Sequence, residues 1–144
     1  LKINSEILDL TAFNIPLFNP RIHSKAEIPV EIIEIKEKLF DSKKWIICAP
    51  EYNGSIPPIL SNLIAWLSVS GDDFRDLFNG QPIAIATFSG GIGLELLTSL
   101  RIQLVHLGSQ VLGRQLLSSF NKPVDMNTVE DIIQRLSQMK KLKL

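Results

Sequence analysis

The chain has 144 residues, a length that suits one domain with a substantial core. Its hydrophobic fraction of 45% and charged fraction of 21% are ordinary for a folded protein and exclude a disordered one. The 15 basic and 15 acidic residues cancel, so no global basic field is available to attract nucleic acid. No apolar run is long enough to cross a bilayer and no signal-peptide pattern is present, so we expect a cytoplasmic protein.

The residues that most often bind metals are few and scattered. Cys48 is the single cysteine, which excludes an internal disulfide, and its apolar setting in "WIICAP" predicts a small buried core residue rather than a nucleophile. His23 and His106 lie far apart, with no second ligand at metal spacing, and we expect both at the surface or at helix ends. No metal site is predicted.

Strand-like and helix-like segments alternate along the chain. The predicted elements, in chain order, are a strand at 6–10, a helix at 29–42, a strand at 44–50, a helix at 57–70, a strand at 81–88, a helix at 94–108, a strand at 109–117 and a helix at 125–142. The apolar runs 44–50 and 81–88 are typical of strands buried on both faces of a parallel sheet. The alternation predicts parallel strands joined by crossover helices, in one α/β domain over residues 1–144.

Two polar turns follow the two buried strands. In open parallel sheets, ligands bind beyond the carboxyl ends of the strands. That rule selects "PEYNGS" at 50–55 and "SGGIG" at 89–93, which we expect side by side on one edge of the sheet. Tyr52 offers an aromatic face, and Asn53 with Gly54 forms a turn pair that tolerates positive φ. A flat ring with a polar edge, such as a flavin, needs such a surface and such main-chain donors.

Each turn also has a plainer interpretation. Asn-Gly pairs are common in strand-to-helix turns that bind nothing, and a loop tyrosine often serves only in packing. The glycines of "SGGIG" allow close approach of a ligand to a helix N-terminus, but the stretch matches neither the dinucleotide fingerprint nor the lysine-bearing phosphate loop. The two turns together favour a ligand site more than either does alone.

The stretch "PEYNGSIPPILSNLIAWLS" closely resembles the flavin-contacting turn and following helix of the NADPH-dependent FMN reductase family. "SGGIGLELLTSLRIQLVHLGSQVL" is similar to that family's second flavin turn, helix and next strand, and "EILDLTAFNIPLFNP" to its second strand and loop. The resemblance covers essentially the whole chain. It implies a flavodoxin-like three-layer α/β/α fold with a parallel sheet.

The resemblance also implies a cofactor and a reaction. The residues that it places around the isoalloxazine of FMN are Pro50, Glu51, Tyr52, Asn53, Gly54, Ser89, Gly90 and Gly91. Enzymes of this kind pass electrons from NADPH through FMN to a small-molecule acceptor such as a quinone, an azo compound or free flavin. The cofactor carries this chemistry, so no catalytic side chain is implied. NADPH and NADH are not distinguished by the sequence.

The chain departs from the family at its beginning. The family's first strand and the turn that holds the FMN phosphate are absent from this chain, which starts at Leu1. In the flavodoxin strand order the absent strand lies between 6–10 and 44–50. We therefore expect an N-terminally incomplete domain, in which 6–10 lacks a neighbouring strand and one edge of 44–50 is unpaired.

A second departure concerns assembly. Ala65 replaces an acidic residue that the family usually places before the tryptophan, and this puts a salt bridge between subunits in doubt. Leu60, Ile64 and Trp66 stay available for a helix-to-helix contact, although they could instead face the protein's own sheet. A homodimer or homotetramer is expected. A flavodoxin-like module that binds flavin or a protein without turnover is the alternative function, and a phosphoacceptor signalling domain is poorly supported.

Overall fold

The computed structural model describes residues 3–23 and 27–143, so Leu1 lies outside the described residues. The elements, in chain order, are a 3-10 turn at Leu10–Ala12, α1 (Pro20–His23), α2 (Val30–Asp41), β1 (Trp45–Pro50), α3 (Pro58–Ser68), β2 (Pro82–Ser89), α4 (Leu94–His106), β3 (Gln110–Val111), β4 (Leu116–Ser119) and α5 (Met126–Gln138). The four predicted helices are confirmed to within a few residues. Pro29 directly precedes α2, Pro58 begins α3, and the carboxylate of Asp125 caps α5 by accepting two main-chain N–H bonds.

The sheet is parallel and centres on β2. β1 pairs with one edge of β2, while β3 and β4 pair with successive parts of its other edge. The single strand predicted at 109–117 is therefore interrupted. Arg101 stabilises the interruption, because its guanidinium donates to the carbonyls of Val111 and Gly113 and to the side chain of Gln115.

Helices cover the two faces of the sheet, which confirms the predicted three-layer α/β/α fold. On one face α2, α3 and α4 pack against β1 and β2, and the buried residues of this layer include Ile32, Ile35, Trp45, Leu63, Leu67, Ile83, Ile85, Leu97, Leu100 and Leu104. On the other face α5 packs through Ile132 and Leu136 against Ala84. The central strand is thus buried on both sides, as its continuous apolar run predicts.

β1 is not buried on both sides, and this prediction is wrong. Its residues alternate: Trp45 and Ala49 face the helical core, whereas Ile46 is 50% exposed and Cys48 is exposed. The physical reason is its place at the edge of the sheet. Among the described residues, no strand pairs with its outer edge and no helix covers the face that carries Ile46.

Residues 6–10 do not form the predicted strand. The segment runs without regular structure into the 3-10 turn, where the carboxylate of Asp9 accepts hydrogen bonds from the main chain and hydroxyl of Thr11. Leu8 and Leu10 still pack against the core, while Ile7 is 90% exposed. A strand needs a neighbour for its main-chain hydrogen bonds, and the described residues provide none beside this segment.

The loop that follows is held against α3. Asn62 donates to the carbonyl of Pro16 and accepts from the N–H of Phe18, and the indole N–H of Trp66 also donates to the carbonyl of Pro16. Leu60, Ile64 and Trp66 are each at most 7% exposed. The expectation that these three side chains are available for a contact between subunits is therefore wrong, because they lie in the protein's own core.

The exposed face of β1 predicts unequal effects of two isoleucine truncations in adjacent strands. Ile85 is 1% exposed and Ile46 is 50% exposed. We expect Ile85→Ala to lower the free energy of unfolding by about 3 kcal/mol, since it leaves a core cavity. We expect Ile46→Ala to lower it by about 1 kcal/mol or less. Urea unfolding measures both, and equal losses would show that this face of β1 is covered in the folded protein.

Candidate functional site at the carboxyl ends of two strands

The two polar turns lie side by side, as predicted. β1 and β2 are parallel and in a register that places Trp45 opposite Ile83 and Pro50 opposite Phe88. The two strands therefore reach the same edge of the sheet at almost the same level. The hydroxyl of Thr87 fastens them there by donating to the carbonyl of Ala49 at 2.7 Å.

The first turn is a tight reversal of the chain. Tyr52 and Ser55 exchange main-chain hydrogen bonds of 3.1 and 2.9 Å. Between them Asn53 has φ 49° and Gly54 has φ 67°, which confirms the predicted pair with positive φ. Such a pair is typical of a type I′ turn. The turn leaves the ring of Tyr52 57% exposed at the edge of the sheet.

The second turn connects β2 to α4 through three glycines with different surroundings. Gly93 has φ +75°, and a Cβ there would lie 2.9 Å from the Thr87 methyl, so the fold itself requires glycine. Gly90 has a φ outside the left-handed region, and a Cβ there would meet no atom within 4 Å. A Cβ at Gly91 would make only an ordinary contact with the Ser89 hydroxyl. Nothing within the described chain demands glycine at position 90, and the space above it is open.

A carboxylate joins the two turns. Glu51, directly after β1, accepts a hydrogen bond of 3.1 Å from the Ser89 hydroxyl on one oxygen and one of 3.3 Å from the N–H of Leu96 on the other. The Ser89 oxygen also accepts from the N–H of Gly91 at 3.0 Å. Leu96 lies in the first turn of α4, where a negative charge is favourable. The first turn, the second turn and the start of α4 are thus tied together.

Several main-chain donors stay available at this edge. Within the part of the chain that the structure describes, no hydrogen bond uses the N–H groups of Asn53, Gly54 or Gly90. They lie in the two turns, the first of which also exposes Tyr52. Donors, an aromatic ring and an open glycine suit a flat ligand whose edge carries hydrogen-bond acceptors. The residues present therefore fit the isoalloxazine group that the family resemblance implies.

A groove of about 340 Å³ continues from this edge along the uncovered face of the sheet. Its lining includes Pro50, Phe88, Val124 and Cys48. The predicted burial of Cys48 is wrong, since the thiol is exposed in this groove on the outer face of β1. Partial removal from water by its apolar neighbours raises the pKa of the Cys48 thiol, so it stays protonated at neutral pH. That agrees with the prediction that it is not a nucleophile.

A larger depression lies elsewhere. It has a volume of about 520 Å³ and is lined by α2 and Ser70, including Ile33, Lys36 and Phe40. The Lys36 ammonium already donates to the carbonyl of Ser70. Because α2 covers the sheet rather than extending from its carboxyl edge, this depression is a gap beside a helix, and we do not assign a ligand to it.

The histidines lie at helix ends, as predicted. His23 ends α1 and packs edge-on against Trp66, and His106 ends α4 and stacks on Phe74. Within residues 3–23 and 27–143, no group of three or more histidine, cysteine or acidic side chains could hold a metal ion. No helix in the same ranges has the length and apolar character needed to span a bilayer.

Sequence reasoning missed two contributors to the site. Thr87 fixes the strand ends through its buried hydroxyl, and only its place next to the end of an apolar run could have suggested this. Gly93 is needed for packing and for its positive φ, and the signal was its position immediately before the apolar helix "LELL".

The fold defines a flavodoxin-like α/β protein, and the two turns form a candidate site at the carboxyl ends of β1 and β2. The chain belongs to the NADPH-dependent FMN reductase family, whose model matches residues 1–122. It is similar to the quinone reductases of Escherichia coli K12 and Shigella flexneri, each 31% identical over 103 residues that make up 70% of this chain. The match spans 53% of those relatives, so the chain spans about half of their length.

Solved structures share the fold. One is the NAD(P)H:(acceptor) oxidoreductase FerB from Paracoccus denitrificans, with a TM-score of 0.65, 21% identity, and coverage of 88% of this chain and 73% of that one. Another is an FMN-dependent NADH-azoreductase from Bacillus anthracis in complex with FMN, with a TM-score of 0.59, 15% identity, and coverage of 91% and 79%. At such identities the likeness establishes the architecture alone.

The surroundings of Gly90 and Gly93 predict unequal effects of the same substitution on stability. Gly93→Ala forces an L-residue into a left-handed conformation and drives its methyl into Thr87. We expect it to lower the free energy of unfolding by about 2 kcal/mol or more. Gly90→Ala should change it by less than about 0.5 kcal/mol, because its methyl meets only open space. Chemical denaturation of both variants measures the difference, and a large loss at position 90 would contradict the described turn.

Proposed function

We propose that the protein binds FMN across the two turns and acts as an NAD(P)H-dependent oxidoreductase that reduces small organic acceptors. Membership of the NADPH-dependent FMN reductase family supports the cofactor and the reaction class. The similarity to quinone reductases favours a quinone among the possible acceptors. The bound FMN of the azoreductase neighbour supports FMN as the flavin.

The observation that carries this proposal is Gly90, which faces open space in the turn after β2, while the turn after β1 lies at the same level of the sheet. Gly90 is required neither by its φ nor by packing, yet it follows β2 at the sheet edge where the Tyr52–Ser55 turn follows β1, which is where parallel sheets bind ligands. A glycine that the chain itself does not need is explained by a ligand that comes within contact distance of its main chain.

The residues of this chain would bind and orient the flavin. The free N–H groups of Asn53, Gly54 and Gly90 would donate to the carbonyl oxygens and ring nitrogens at the polar edge of the isoalloxazine. Tyr52 would pack its exposed ring against the cofactor. Bound FMN would supply the hydride and electron transfer between NAD(P)H and the acceptor. No side chain at this edge is assigned an acid or nucleophile role.

A pair of glycine substitutions tests the proposal in the full protein. Gly90→Ala would place a methyl where the flavin edge would lie, and we expect the dissociation constant of FMN to rise at least tenfold, which corresponds to about 1.4 kcal/mol. Gly113→Ala is the matched control, because a Cβ at Gly113 also meets no atom within 4 Å and this residue lies in the loop between β3 and β4. Titration followed by flavin fluorescence measures both constants.

The outcomes separate the candidate functions. Purified wild-type protein that is yellow and is bleached by NADPH without oxygen supports the reductase. Bound FMN that neither NADPH nor NADH reduces would instead support the non-catalytic flavin-binding module. Equal FMN affinity in the wild-type protein and in Gly90→Ala would refute the assignment of the cofactor to this turn.

We further propose that the protein is a homodimer that uses the outer face of α4. Leu94, Ile102 and Val105 lie on one side of this helix, opposite its buried leucines, and are 51%, 66% and 55% exposed. The stripe, which also includes Thr98, carries no charge, so a second copy can cover it without burying an unpaired ion. A stripe of this kind on a surface helix is typical of a contact between proteins.

Substitution of the most exposed member of the stripe tests the dimer. Ile102→Lys would bury an ammonium in the proposed contact, and we expect it to convert the protein to a monomer in light scattering after gel filtration. Ile7→Lys is the control, because Ile7 is 90% exposed and lies far from α4 in the chain. A wild-type monomer, or a dimer that survives Ile102→Lys, would contradict this interface.

A further inference from the structure

The Glu51 carboxylate has a geometry that suits positioning rather than ligand contact. Both of its oxygens are already engaged within the chain, one by the Ser89 hydroxyl and the other by the N–H of Leu96. We propose that Glu51 is a positioning residue that sets the spacing of the two turns, and that it does not contact the flavin. This inference rests on the proposed function for its ligand, but its structural part can be tested without one.

The start of α4 shows why a carboxylate belongs at this position. The cap residue of α4 is Gly93, which has no side chain to accept the free N–H groups of the first turn. Glu51 supplies that acceptor from the end of the neighbouring strand, at 3.3 Å from the N–H of Leu96. Its negative charge also interacts favourably with the helix dipole. The first turn is thereby attached to α4 as well as to β2.

The hydroxyl of Ser89 connects the Glu51 carboxylate to the second turn. It donates to Glu51 at 3.1 Å and accepts from the N–H of Gly91 at 3.0 Å. The N–H of Gly91 is therefore used inside the protein, and Gly90 provides the donor of this turn that a ligand can reach. The family resemblance implies that Glu51, Ser89 and Gly91 alike lie around the flavin. The geometry instead gives Glu51, Ser89 and Gly91 a supporting role and leaves the N–H of Gly90 as the donor to the ligand.

Three variants of the full protein separate positioning from charge. Glu51→Ala removes both acceptors, whereas Glu51→Gln keeps the length of the side chain and an amide oxygen that can accept from Leu96. Glu95→Ala is the matched control, since Glu95 is exposed and lies in the same first turn of α4 without joining the two turns. It removes a charge near the same helix end and leaves the bridge intact.

The first readout needs no ligand. Hydrogen exchange of the Leu96 amide in the unliganded protein should be faster by about tenfold or more in Glu51→Ala, because its acceptor is lost. In Glu51→Gln and in Glu95→Ala the exchange should stay within about threefold of wild type. Unchanged exchange in Glu51→Ala would overturn the bridge whether or not the protein binds FMN.

The second readout is the dissociation constant of FMN, with the visible spectrum of the bound flavin. We expect Glu51→Ala to weaken FMN binding by about tenfold and to shift the flavin absorption, and Glu51→Gln to restore both. Loss of affinity in Glu51→Gln equal to that in Glu51→Ala would overturn the positioning role and indicate direct contact. A wild-type protein without FMN affinity would refute the proposed function while leaving the exchange result to decide the bridge.

Discussion

The parallel register between β1 and β2 is the constraint on which the site depends. Because Pro50 lies opposite Phe88, the two strands end at the same level and their turns become neighbours. A shift of this register would separate Glu51 from Ser89 and would leave the N–H groups at the start of α4 without their acceptor. The hydroxyl of Thr87 and the burial of β2 on both faces hold the register in place.

At the carboxyl edge of the sheet, buried strand and helix residues meet exposed turns. Apart from Phe88, the residues of β2 are buried, as are the inner leucines of α4, so the strand and the helix have little freedom. The turns attached to them are exposed and offer main-chain N–H groups rather than reactive side chains. Such an arrangement can hold a cofactor that carries the chemistry itself, which agrees with membership of the NADPH-dependent FMN reductase family.

β1 contributes to the site with one edge and leaves its other edge unpaired within the described residues. The same strand exposes Ile46 and Cys48 on the face that α5 does not reach, and a groove of about 340 Å³ follows that face to Pro50. The segment 6–10 keeps Leu8 and Leu10 against the core but forms no strand, and none of the described residues pairs with its main chain as a strand.

The sequence by itself determined the helices, the buried strand β2, the positive-φ pair at Asn53 and Gly54 and the place of the two turns, because periodicity and turn chemistry are local properties. The family followed from the long motif around Tyr52. The tertiary structure alone decided which residues are buried or hydrogen-bonded within the chain and which are exposed. Glu51 accepts a hydrogen bond from Leu96, 45 positions away, and Cys48 lies on an uncovered face of the sheet. The side chains of Leu60, Ile64 and Trp66 lie in the core. Burial and long-range hydrogen bonds depend on which elements become neighbours, and no local pattern records that.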